Sequence, residues 1–218
     1  MDFREALAAR RMVRSFSSQQ LPPGVAERML DDALRAPTAG HSCGTAWVLL
    51  MGADETGRYW SSTTTPEWRK RSARWEGLSR APVVALSYTN PSTYVERYGE
   101  EDKRRSGLGP AGDGGGGEAA WAVPYWYGDA AFSVMTLLLA ATVEGLGASF
   151  LGNFRGEERL AATLGVPTSW RLFGAVALGY PDGGDRRSAS LERRRPERAS
   201  RIHRGRWAHP EPEPGLAP

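Results

Sequence analysis

The chain has 218 residues, 40% of them hydrophobic and 24% charged, with a formal net charge of +3. That length suits one domain with a substantial core and some appended segments, and the composition excludes global disorder. The charge is too small to point to nucleic acid by itself, although the sequence pI of about 9.2 leaves that class open, while a single cysteine, Cys43, excludes an internal disulfide framework and a cysteine-built zinc site and fits a reducing cytoplasm.

The opening "MDFREALAAR" mixes acidic residues into a short apolar pattern, so no secretory leader is expected and the cytoplasm is the expected location. It runs from a helix start into "RRMVRSF", where Arg10, Arg11 and Arg14 cluster. Four residues apart, Arg10 and Arg14 stay on one side whether the segment is helical or extended. Two guanidiniums can therefore aim at one anion; the competing reading is a solvated cationic face.

Next, "PPGVAERMLDDALRAP" (22 to 37) predicts a helix opened by proline, with Val25, Met29, Ala33 and Leu34 on one face and Ala36-Pro37 as its stop. "AWVLLM" (46 to 51) and "PVVALSY" (82 to 88) predict strands covered on both faces. Between them, "PEWRKRSARWEGL" (66 to 78) predicts a charged helix with Trp68 and Trp75 on one side. The glycine-rich "SGLGPAGDGGGGEAA" (106 to 120) is expected to be a mobile surface loop.

Asp129 is placed to cap "AAFSVMTLLLAATV" (130 to 143), and Gly145 and Gly147 to end it. This run is shorter than the roughly 20 residues a bilayer span needs, and it is apolar nearly all round. The expectation is a core helix at a subunit interface and no membrane. A strand (148 to 154), a helix (156 to 164) and a strand (172 to 181) follow. "ERRRPERASRIHRGRW" (192 to 207) reads as a basic arm, and "HPEPEPGLAP" (209 to 218) as a disordered tail. The fold class is α+β, layered in an α/β-like way, with a central mixed sheet flanked by helices. One domain spans 1–207 with the 106–120 loop inserted, and the tail takes 208–218.

In order, "RRMVRSF", "RAPTAG...AWVLL", "GDAAFSVMTLLLAATVEGLGASFLGNF", "LGVP...GAVALGYP" and "RRRP" resemble the motifs of FMN-dependent nitroreductase-like flavoproteins, over roughly residues 3 to 207. The order and the gaps carry the resemblance, since none of the five strings is specific alone. It implies an FMN cofactor, NAD(P)H as electron donor, and a homodimer with a C-terminal arm swapped onto the partner.

Carried over residue by residue, the resemblance implies that Arg10, with Arg194 or Arg195 of "RRRP", holds the FMN phosphate, with Arg11 nearby; which of Arg193, Arg194 and Arg195 reaches it stays open. Arguments from charge agree, because guanidinium forks bind phosphate with charge-assisted hydrogen bonds. Arg14 would sit by the pyrimidine end of the flavin, where a fixed cation stabilises the anionic reduced form. Thr38 and Ala39 of "PTAG" would border the ring from the second subunit, and Leu151 and Gly152 of "FLG" would run beside N5. Met12 stands where the family usually has serine, so only its backbone amide can serve there. "AGHSCGTAW" (39 to 47) is longer than the usual family pattern, with His41, Ser42 and Cys43 in place of its amides.

His41, Ser42, Tyr125 and Trp126 are candidates for a substrate pocket, the aromatics being equally a hydrophobic entry to the long helix. No side chain is expected to act as a catalytic acid or base and no metal is expected; flavin N5 carries the chemistry. The expected activity is ping-pong hydride transfer from NAD(P)H to a nitroaromatic, a quinone or a related small acceptor. Two alternatives stand beside it. One is a specialised flavin oxidase, dehydrogenase or deiodinase-like enzyme, for which Tyr94, Glu96, Tyr98 and Lys103 supply amino-acid-binding residue types. The other is a flavin-free protein that binds nucleic acid through the arginines around His203; against it, a small molecule is the expected partner.

Overall fold

Seven consecutive residues of β2 (Val83–Thr89) are buried, and their alternation builds two cores. Val83 and Ala85 face one hydrophobic cluster with Val25, Met29 and Leu137, whereas Val84 and Leu86 face another with Tyr59, Trp60 and Leu78. A period of two on a strand sends neighbours to opposite faces, so a nearly continuous apolar run marks a strand covered on both sides. The computed structural model describes residues 1–112, 116–185 and 199–207. They fall into two compact units, Met1–Asp185 and a second from Arg186 onward.

In the first unit, β1 (Thr45–Met51), β2, β3 (Gly147–Leu151) and β4 (Arg171–Gly179) form a sheet in the order β1-β2-β4-β3. Every ladder is antiparallel. The mixed character expected of the sheet is confined to one parallel bridge, Met12 with Ala148, on the free edge of β3. The α+β class stands.

One face carries α1 (Phe3–Ala9), α2 (Val25–Leu34) and α7 (Tyr125–Val143). The start of α1 is fixed by a capping box: Glu5 N donates to Asp2 Oδ1 at 2.8 Å, and Asp2 N donates to Glu5 Oε2 at 2.7 Å. In α2, Val25, Met29 and Ala33 are buried as expected, but Leu34 lies outside that face at 53% exposure. With 19 residues α7 is long and apolar enough to cross a membrane by length and composition; here Ala130, Val134, Leu137, Leu138 and Ala141 pack into the core. It begins four residues before Asp129, which is therefore inside the helix and not its cap.

The other face carries α3 (Gly52–Thr63), α5 (Trp75–Ser79) and α8 (Glu157–Leu164). The single charged helix expected over 66 to 78 is two, α4 (Pro66–Arg71) and α5, separated at Ser72–Arg74. The Trp68 and Trp75 rings still meet edge to face, 6.1 Å apart. Neither α3 nor α6 (Pro91–Gly99) stood out in the sequence, although Asn90-Pro91 is a regular helix opening, with Asn90 Oδ1 accepting from Ser92 N at 3.1 Å.

The described ends of the glycine-rich segment are tied down. Trp121 Nε1 donates to Leu108 O at 3.0 Å, Gly117 N donates to Gly109 O at 2.7 Å, and Arg171 binds Glu118 at 2.8 Å. In the second unit, Ala199–Arg201 form one 3-10 turn, and His203 stacks on Trp207 with centroids 4.2 Å apart.

Candidate functional site

The arginine segment is extended and lies along the open edge of β3. Arg10 ends α1, its N–H donating to Ala6 O at 2.9 Å. Val13 N then donates to Ala148 O at 2.9 Å, Phe16 N to Gly77 O at 3.2 Å and Ser17 N to Tyr180 O at 2.8 Å. Met12, lacking the hydroxyl of the family serine, accepts instead: Phe150 N points at its sulfur at 3.4 Å. Downstream, Arg80 Nε donates to Phe16 O at 2.8 Å, and Asp182 takes Ser15 Oγ at 2.9 Å and Arg80 Nη2 at 2.5 Å.

Against this fixed backbone, the guanidiniums of Arg10, Arg11 and Arg14 form no ion pair among the described residues. Arg14 is half-buried and donates to Met12 O at 3.4 Å. Burial first, and the neighbouring Arg74 second, lower its pKa from the ordinary value, while Asp185 acts in the opposite sense. Like charges set side by side cost free energy that an anion between them recovers. Arg74, which the sequence placed inside one helix and the structure places between α4 and α5, thus acts on Arg14 through its charge.

At the far end of β3, Leu151 pairs with Ala175 and Gly152 leaves the sheet with its backbone exposed. A cavity of about 360 Å³ opens beside them, walled by Tyr59, Trp60, Trp68 and Leu78. Asn153 accepts from Tyr59 Oη at 2.9 Å, yet its Nδ2 and Trp60 Nε1 are buried without a partner. Arg10, Met12, Arg14, Leu151 and Gly152 are thereby brought to one strand edge.

Thr38, Ala39, His41 and Ser42 are not placed there. They form a separate loop held by α6 and α7. Asp129 Oδ2 accepts from Ala39 N at 2.7 Å and from Tyr94 Oη at 2.8 Å, Arg97 Nε donates to Gly40 O at 2.9 Å, and Cys43 N donates to Thr38 Oγ1 at 3.1 Å. His41 and Cys43 have φ of 58° and 53°, left-handed values costing about 1 kcal/mol or more in a residue with a side chain. Gly40 has φ 62°, and a Cβ on it would lie 2.6 Å from the Tyr98 ring. Burial, reinforced by Asp129, pushes the Tyr94 hydroxyl up, so it stays a donor. Asp129, Tyr94 and Arg97 are functional-loop supports that sequence reading missed; the buried Asp inside an apolar helix was the available signal.

Tyr125 is half-exposed, but Trp126 is buried, its ring 5.7 Å from Trp121 and 6.1 Å from Tyr94. Its place is the aromatic core that carries α6 against α7, so it is not the pocket wall anticipated. Arg194 and Arg195 lie outside the described residues, as does Arg193. No group of three or more His, Cys, Asp or Glu among the described residues can hold a metal.

These features define an α+β protein with an arginine-bearing strand edge, whose Arg10, Arg11 and Arg14 form no ion pair among the described residues, and a separate loop held by Asp129 and Arg97. A model described as the nitroreductase family matches residues 7–180, and the chain belongs to that family. It is 27% identical over 194 residues to a Thermus thermophilus protein named NADH dehydrogenase, covering 83% of this chain and 87% of that one. It is 26% identical to an Archaeoglobus fulgidus protein whose name joins NADH dehydrogenase with NAD(P)H nitroreductase, covering 91% and 94%. In fold it is similar to the Lactococcus lactis nitroreductase CinD solved with nicotinic acid, with TM-score 0.66, 19% identity, and 90% and 100% of the two chains covered. A nitroreductase family protein from Clostridium difficile gives TM-score 0.65 at 16% identity, covering 94% and 99%. Family membership supports a general oxidoreductase role.

Proposed function

We propose that this chain is an FMN-dependent oxidoreductase that passes hydride equivalents from NAD(P)H to a small acceptor, a nitroaromatic, quinone or related molecule, in a ping-pong cycle. The observation that carries the reading is the arginine edge: Arg10, Arg11 and Arg14, on a backbone pinned to β3 and free of ion pairs among the described residues. That donor set fits a phosphate dianion, and Leu151 and Gly152, at the end of the same strand, stand by resemblance at a flavin-ring edge. Arg194 and Arg195 stand as further phosphate partners by resemblance.

When bound, FMN supplies the two-electron centre on which hydride is received and passed on. Arg14 would hold positive charge beside the bound cofactor, where a fixed cation would favour negative charge on the ring. The Ser15–Asp182–Arg80 clasp keeps the segment from moving as that charge changes. No protein acid or base is required; orientation and electrostatics suffice.

A homodimer completes the proposal, with the Thr38–Ser42 loop bordering the partner's cofactor. Its support is an apolar surface left on α1 and α7, where Phe3, Leu7, Phe132, Met135 and Val143 are exposed, a larger cluster of apolar side chains than a monomer usually leaves to water. The cytoplasm is the proposed location. The decisive experiment is the visible spectrum of the purified protein, followed by release of the chromophore and turnover with each nicotinamide and a generic acceptor. Stoichiometric FMN, lost in the Arg10→Ala/Arg14→Ala double variant, supports the reading. A colourless protein that ignores added FMN overturns it.

A further inference from the structure

Beneath the Thr38–Cys43 loop lies a second cavity of about 360 Å³, within the size range of small-ligand pockets. Its polar wall is Asp129, Thr38, Thr45, His41, Cys43 and Ser133; its apolar wall includes Leu34 and Pro37. Asp129 is 3% exposed. Both of its hydrogen bonds, from the neutral Ala39 N–H and Tyr94 hydroxyl, converge on Oδ2. Oδ1 accepts none from the described residues, and no described cation pairs with the carboxylate. Arg35 lines the same cavity, but its guanidinium turns outward to Asp31 at 3.4 Å and Asp32 at 3.7 Å. A carboxylate removed from water without a counter-cation is costly, and a cation delivered to it relieves that cost.

Two further features have the same sign. Ala33, Leu34, Arg35 and Ala36 bring the C-terminal, negative end of the α2 dipole to the cavity, and the C-cap Arg35 is engaged by Asp31 and Asp32 of the last turn. Thr45 Oγ1 is buried without a hydrogen-bond partner.

We infer that this cavity is a binding site for a primary ammonium group carried on a small apolar molecule, with Asp129 as its counter-charge. An ammonium has three N–H donors and no acceptor; Asp129 Oδ1 and Thr45 Oγ1, both on the cavity wall, are acceptors for two of them. Because the cavity adjoins the loop placed at the cofactor edge, the ammonium belongs to the electron acceptor, an assignment that rests on the function proposed above. The binding site itself does not depend on it.

The test is calorimetric titration of the full chain, as purified, with benzylamine and with the neutral isostere benzyl alcohol, the flavin content of the same sample being read from its visible absorbance. Benzylamine is expected to bind about tenfold more tightly, as one charge-assisted contact implies. Asp129→Asn keeps an amide oxygen for Ala39 and Tyr94 but presents an N–H₂ to the cavity, and is expected to abolish the preference. Should that variant not fold, Thr45→Val is expected to lower the preference several-fold. Equal affinity for the two probes, or a preference that survives both substitutions, overturns the inference. A protein that stays colourless when FMN is added yet keeps the amine preference defeats the oxidoreductase reading alone, and a yellow one without the preference defeats this inference alone.

Discussion

Gly147 opens β3 directly against Val13: a Cβ built on it would lie 2.9 Å from the Val13 Cβ. Contacts below 3.0 Å force something to move, and here the neighbour is the backbone segment carrying the arginines. Gly147→Ala is therefore expected to destabilise the protein by about 1–3 kcal/mol, the usual cost of overpacking, and to lower flavin occupancy beyond what global unfolding explains. Thermal melts and the flavin-to-protein absorbance ratio of the folded variant check this; full occupancy would separate β3 from the cofactor.

Arg74, just ahead of α5, acts electrostatically on Arg14. If both face one phosphate, Arg74→Ala weakens FMN binding about tenfold and Arg14→Ala by at least as much, in keeping with the loss of a hydrogen bond to a charged group. Quenching of flavin fluorescence during titration of the flavin-stripped protein measures both. Arg58→Ala, on the exposed side of α3, is the control and leaves the affinity unchanged.

Tyr88 carries a buried hydroxyl without a partner, and its pKa is pushed up to about 12, by burial first and by Glu157 second. A folded-state value above the unfolded one, about 10, means that its contribution is whole below pH 10 and is lost as pH rises through 12. Tyr88→Phe removes the unsatisfied group. At neutral pH it is expected to be neutral or stabilising by up to about 1 kcal/mol, and its stability should fall less between pH 10 and 12 in urea titrations.

At the acid end, the Gly184 amide, the Ser15 hydroxyl and Arg80 together hold Asp182 below the usual carboxylate range. The stabilisation is then present above the unfolded value of about 4 and is lost as pH falls through the lower folded value. Asp182→Asn should flatten the dependence of stability on pH below about 4 and loosen the 15–17 segment, which amide hydrogen exchange at Ser17 reports. An unchanged slope would mean that the clasp does not hold the segment.

Much of this molecule was legible from residue order. The apolar run of β2 says where chain must be buried, because burial of such a run dominates any local preference; β1, expected to be covered on both faces, buries only Leu50, and α7 leaves Phe132 and Val143 exposed. Arg10 and Arg14 share a side in any regular conformation, but Arg10 caps α1 and Arg14 follows in the extended segment, so their relation is set by the tertiary course of the chain. Weak local signals went unread: α3 and α6 are short, half-polar helices held by what they pack against, and α4 and α5 part where Ser72–Arg74 turn the chain.

The position of Asp129 shows the limit. In sequence it precedes an apolar run and has the character of a cap; in the structure α7 starts at Tyr125, with Trp126 seated between Tyr94 and Trp121. That leaves Asp129 buried in the helix, bonded to an amide 90 residues earlier in the chain. By itself the sequence determined the fully buried strand β2 and the family, both of which depend on residue type and near-neighbour spacing. Only the tertiary structure decided which donors meet Asp129, which loop residues adopt positive φ and which arginine joins Arg14, since those follow from long-range packing that no local periodicity encodes.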